Sequence, residues 1–114
     1  MRRGEVWEAV LAPRSGSEQS GRRPVIVMSN DGFNSVEAWR SIVVVPLSTS
    51  ETQRARGPSA IALKKGAGGL KKSSVALCHQ VTTVDRAKLE KRWGALTKPD
   101  LVAVEEGLRA ALDL

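Results

Sequence analysis

The chain has 114 residues, with 18 Lys and Arg against 12 Asp and Glu and a formal net charge of +6. That length suits one domain spanning 1–114, and a 41 % hydrophobic content with one Phe, no Tyr and three Trp predicts a modest aliphatic core. No apolar run nears a membrane span or a signal peptide's apolar stretch, and a single cysteine, Cys78, excludes a disulfide framework or a cysteine-based zinc site, so the expectation is a cytoplasmic protein.

The pattern EVWEAVLA (5–12) alternates as an edge or half-buried strand does, with Val6 and Val10 on one side and Trp7 on the other. APRSGSEQSGRR follows as a long Gly- and Ser-rich loop. PVIVMSN (24–30) is a continuous apolar run typical of a strand buried on both faces, with Pro24 at its tolerated first position. NDGFNS (30–35) carries turn chemistry with room for one helical turn. SIVVVPLS (41–48) is a second buried strand in which Pro46 marks a bulge or an end. TSETQRARG (49–57) reads as a polar loop, PSAIALKK (58–65) as a weaker strand, and GAGGLKK as a glycine-rich connection. SSVALCHQVTTV (73–84) is another strand, turning at TTVD. AKLEKRWGAL (87–96) holds a helical turn and a last strand around Trp93. TKPDLVAVEEGLRAALDL is a helix: Thr97 suits the N-cap, Pro99 the first turn and Asp100 the positive end of the helix dipole. Leu101, Val104, Leu108, Ala111 and Leu112 recur at helical spacing and form its apolar face. Five to seven short strands and one terminal helix predict a small antiparallel barrel or half-barrel packed on that helix and aided by dimerisation.

Basic residues cluster at 22–23, 54–56, 64–65, 71–72 and 86–92, the distribution of a surface that attracts a polyanion such as nucleic acid. Metal chemistry is poorly supported, because Cys78 and His79 are adjacent and face opposite ways on a strand. No P-loop, dinucleotide fingerprint or nucleophile elbow is present. Glu18, Arg22 and Arg23 remain. A guanidinium can grip two phosphate oxygens and stabilise growing negative charge, and RNA cleavage needs no metal when its own 2′-OH attacks. A solvated Glu–Arg ion pair in a surface loop is the other reading of the same residues.

The stretch RRGEVWEAVLAPRSGSEQSGRRPVIVMSND resembles the N-terminal signature of the MazF/PemK toxins, endoribonucleases of type II toxin–antitoxin systems. VVVPLS (43–48), GLKKSSVALCHQVTTVDRAKLEKRWGAL (69–96) and the ending GLRAALDL continue the likeness over almost the whole chain. The resemblance implies an SH3-like β-barrel with a C-terminal α-helix, of the CcdB/PemK type, and a homodimer with an RNA groove along its interface. It implies sequence-specific cleavage of single-stranded RNA without a cofactor or metal, leaving 2′,3′-cyclic phosphate and 5′-OH ends, and control by a MazE-like antitoxin. The family's catalytic arginine falls on Arg23 and its loop acid on Glu18, which assists proton transfer or positions Arg23. Its catalytic threonine is replaced by Ser48, followed by Thr49, so either hydroxyl is a candidate. Serine lacks the methyl that restricts the rotamer. Arg22, at a variable position, is assigned phosphate attraction. Gln19, Thr49, Phe33 and Gln80 are candidate RNA contacts, and His79 stands where the family has an acid, with no role assigned. Packing is the expected job of Trp7, and the loops at 49–57 and 64–72 are expected to shape base selection. Two other readings share the fold: a CcdB-like toxin that binds gyrase without cleaving RNA, and an RNA-binding module whose catalysis has decayed through Ser48.

Overall fold

Why two long apolar runs should sit so near the N-terminus is answered by a sheet with a core on each face. The computed structural model describes residues 1–11, 21–49 and 57–114. Its elements are β1 (Glu5–Leu11), β2 (Gly21–Val27), α1 (Asp31–Asn34), β3 (Ser41–Ser48), β4 (Ala60–Leu63), β5 (Ser74–Leu77), β6 (Thr82–Asp85), β7 (Leu89–Ala95) and α2 (Lys98–Leu112). The strands form one sheet in the order β4-β5-β3-β2-β1-β7, and β6 also pairs with β3. The two end strands, β4 and β7, do not pair among the described residues, so the expected barrel stays open. β1, expected as an edge or half-buried strand, is not an edge but lies inside the sheet between β2 and β7, with buried and partly exposed residues mixed along it.

Alternate residues of each central strand supply alternate cores. Val6, Ile26, Val45, Leu47 and Ala76 gather on one face with Val104 of α2. Ala9, Val25, Val27, Ile42, Val44 and Leu89 gather on the other. That is why PVIV and IVVV show no polar alternation: both faces of those strands are largely buried, with only Pro24 and Val43 partly exposed.

The two prolines mark where ladders end. β2 and β3 pair as Val25↔Pro46, Ile26↔Val45 and Val27↔Val44. The Met28 N–H donates to Val43 O at 2.9 Å, so every second nitrogen back along β2 points at β3, including that of residue 24. Proline has no N–H to give there, and the ladder stops one residue short of it. Pro24 is therefore internal to β2 rather than its first residue, and the strand reaches back to Gly21. Pro46 sits where β3 changes partner, from β6 along Ser41–Val44 to β5 at Leu47 and Ser48.

The predicted strand 73–84 is two strands. Cys78–Gln80 form a 3-10 turn between β5 and β6, so the chain turns at CHQ and TTVD is itself a strand. In α2, Thr97 Oγ1 accepts from Asp100 N at 3.4 Å, as the sequence predicted. Leu101, Val104, Leu108 and Ala111 pack on the first core, whereas Leu112, expected with them, is exposed. Gly107 lets the helix lie close to the sheet, since a Cβ there would stand 2.6 Å from Ile61 Cγ1 and 2.7 Å from Cys78 Sγ.

Candidate active site

Arg23 and Ser48 come together through strand register. Each step forward on β2 is matched by a step back on β3, so the register of their paired residues, carried two residues further, sets Arg23 level with Ser48. Strand alternation puts both on the face of Val25, Val27 and Val44. Arg23 is exposed, whereas Ser48 is only 7 % exposed and is also held from the other side by its pairing with Val75 of β5. Thr49 is exposed beyond the end of β3. An exposed guanidinium beside a buried, strand-fixed hydroxyl can bind a phosphate from two directions.

Arg22 behaves differently from its neighbour. It lies on β2, not in the loop the sequence suggested, and faces the other side of the sheet. Its Nη1 donates to Glu90 Oε1 and, at 3.5 Å, to Glu8 Oε2. The hydrogen bond from Arg22 to Glu90 holds the guanidinium even more firmly in its charged form. The phosphate attraction expected of Arg22 is thus opposed by two carboxylates already on it.

The N-terminal motif R-G-E-V-W is structural. Gly4 adopts φ +92°, a conformation that disfavours any side chain, while its N–H donates to Val27 O at 2.7 Å. Glu5, 8 % exposed, accepts from Trp7 Nε1 and from Arg2 N, both at 2.9 Å, and from Arg92 Nε at 2.8 Å. Burial pushes this carboxyl up, but the hydrogen bonds from Trp7, Arg92 and Arg2 outweigh it and hold the group below its ordinary range. Trp7 packs against the second core, the packing job its position implied.

The remaining candidates are scattered. Glu18 and Gln19 lie outside the described residues, as does most of the 49–57 loop. Gln80 is half-buried in the 3-10 turn after β5, and His79 beside it is exposed. Cys78 is buried, and burial pushes its thiol up to about 11. Phe33 sits on α1, beyond the opposite end of β2 from Arg23, with its ring stacked on Trp39. Sequence reasoning missed Trp39; the short spacing of two aromatics in a turn was the available signal. It missed the Glu8–Arg22–Glu90 cluster too, because its members are brought together only by the pairing of three strands.

Residues 2–112 match the family model described as PemK-like, MazF-like toxin of type II toxin–antitoxin system. Proteins named Endoribonuclease MazF from Staphylococcus epidermidis and Staphylococcus saprophyticus are each 33 % identical over all of this chain and 92 % of their own length. The crystal structure of MazF from Deinococcus radiodurans superposes with a TM-score of 0.77 at 25 % identity, covering 100 % of this chain and 97 % of that one. With the family pattern running nearly from end to end and the strand order built around it, the chain belongs to the PemK/MazF family of type II toxins.

Proposed function

We propose that this chain, acting as one 1–114 unit and as a homodimer in the cytoplasm, is a toxin that cuts single-stranded RNA at specific sequences and is neutralised by a MazE-like antitoxin. The observation that carries the reading is the placement of Arg23 and Ser48 level with each other on one sheet face, in a chain of a family whose relatives are named as endoribonucleases. Arg23 grips the scissile phosphate and stabilises the charge that builds on its oxygens. An arginine is too weakly acidic to serve readily as a base, so stabilisation is its role. The hydroxyl is assigned to Ser48 rather than Thr49, because Ser48 shares Arg23's face and donates to a phosphate oxygen from there.

The substrate's 2′-OH is the nucleophile. Its oxygen bonds to phosphorus as the P–O5′ bond breaks, its proton passes to a base, and the leaving O5′ takes up a proton, giving a 2′,3′-cyclic phosphate and a 5′-OH. Glu18, the loop acid, serves as proton acceptor or as the group that positions Arg23. No water has to be activated, so the reaction needs no metal. Gln19, Thr49, Phe33 and Gln80 contribute to RNA binding.

The test is to incubate the protein and its Arg23→Ala variant with a long single-stranded RNA in EDTA and map the ends. Cuts at a fixed sequence with cyclic-phosphate ends, lost in the variant, are the expected result. Intact RNA with folded wild-type protein would sink the nuclease reading, and binding to gyrase that survives loss of Arg23 would replace it with the CcdB-like one.

A further inference from the structure

One surface feature lies outside the catalytic arrangement. Phe33 and Trp39 are 47 % and 43 % exposed, and their rings stack with centroids 4.7 Å apart and planes 23° from parallel. Exposed aromatics in a connecting segment would ordinarily be mobile, but these are fixed. Arg86, from the turn after β6, donates through Nε to Trp39 O at 2.9 Å and through Nη2 to Phe33 O at 3.2 Å and Val36 O at 2.9 Å. Trp39 Nε1 donates to Ser41 O at 2.7 Å, which sets the indole plane. Beneath them Asn34, 2 % exposed, accepts from Ser29 Oγ at 2.6 Å and donates to Ser29 O at 2.7 Å, tying α1 to the end of β2.

We infer that the Phe33–Trp39 stack is a platform for an unpaired base of the RNA, several nucleotides from the phosphate held by Arg23; this rests on the RNA-cleaving reading above. Three observations select that occupant. The rings are already stacked and held, so a base extends the stack with little ordering cost. The nearby charge is net positive, with Arg2, Arg3, Arg40, Arg86 and Lys88 outnumbering Glu37 of the same segment, Glu105 on Arg3, and the aspartates Asp31 and Asp85. Both aspartates are occupied, Asp31 by Arg3 N and Asn34 Nδ2, Asp85 by Ala87 N and Arg40 Nη2. Finally, the exposed apolar surface here is two rings and Val36. That suits one base, whereas a protein partner needs about 800 Å² per side. The placement at the far end of β2 also assigns the two sites different tasks: chemistry at Arg23, and grip on a flanking stretch of the strand at the platform.

The experiment compares wild type, Phe33→Ala, Trp39→Ala and the conservative Trp39→Phe on two substrates: a long single-stranded RNA and the shortest oligonucleotide that wild type cuts. Binding of the long RNA is measured alongside by fluorescence anisotropy. The alanine variants are expected to raise KM and Kd for the long RNA on the order of tenfold, to lose less on the short substrate than on the long one, and to be largely rescued in Trp39→Phe. Folded alanine variants with unchanged long-RNA Kd would overturn the platform. So would a loss confined to dimerisation or antitoxin affinity, which would mark the stack as a protein contact. Wild type that binds RNA without cutting would defeat the nuclease reading and leave the Kd comparison to decide the platform. Wild type that neither binds nor cuts would end both.

Discussion

Glu5 is the place where acid should loosen this fold first. Its carboxylate is buried and takes three donors, Arg2 N and Trp7 Nε1 on one oxygen and Arg92 Nε on the other. Truncation in Glu5→Ala leaves the Trp7 indole and the Arg2 amide without an acceptor, at about 1 kcal/mol each. The Arg92 side chain is half exposed and can rehydrate, so its share is at most about 1 kcal/mol. The sum is roughly 2–3 kcal/mol in Glu5→Ala and about 1 kcal/mol in Glu5→Gln, which keeps one oxygen acceptor but turns an amide toward Arg92. Because the folded carboxyl is held below its ordinary range, its contribution is complete above the unfolded value near 4.3 and is lost as pH falls through the lower folded value. Urea unfolding at fixed protein concentration, repeated from pH 7 down to pH 3, reads both effects. The gap between wild type and Glu5→Gln should narrow as the pH drops. A gap that stays constant with pH, or a Glu5→Ala variant as stable as wild type, would refute the ionised, three-donor account.

Gly107→Ala gains about 1 kcal/mol of helix propensity but forces a Cβ against Ile61 and Cys78, where overpacking costs about 1–3 kcal/mol. The variant should be less stable by urea unfolding, and a stabilised one would mean that α2 stands further from the sheet. Arg22→Gln should leave the salt dependence of RNA binding nearly unchanged, since its guanidinium already rests on Glu8 and Glu90. Arg23→Gln should flatten the slope of log K against log salt by about 0.7, the effect of one lost phosphate contact on a single strand. Equal losses in the two variants would contradict the division of labour between adjacent arginines.

What the sequence disclosed followed from local chemistry. Thr97, Pro99 and Asp100 announce the start of α2, and SIVVVPLS delimits β3 at both ends, because capping and apolar runs are properties of contiguous residues. Long-range pairing was not legible. Nothing local says that β1 is flanked on both sides, or that CHQ turns rather than extends, because β-branched propensity fits either outcome until a partner strand is fixed. The site was half legible for the same reason. Arg23 is singled out only through the family resemblance, whose catalytic arginine precedes the proline, because Arg22 next to it carries the same charge in the same stretch. Physically it is the strand's alternation, with Glu8 and Glu90 waiting on the opposite face, that separates them.

That separation gives the two prolines a joint consequence. Pro24 ends the β2–β3 ladder and Pro46 coincides with β3's change of partner, so Arg23 and Ser48 lie just past the point where their strands stop bonding to each other. Each remains fixed from its outer side, Arg23 by β1 at Ala9 and Ser48 by β5 at Val75. On the proposed reading this is what a phosphate site requires. The flanking ladders, to Ala9 of β1 and to Val75 of β5, hold the two residues rigidly where the β2–β3 ladder has ended. An arginine in a loop would have to be ordered by the substrate, at the expense of affinity. Here the guanidinium starts from a strand. The neighbouring Arg22, latched to β1 and β7 through their glutamates, pins that strand at the residue before Arg23.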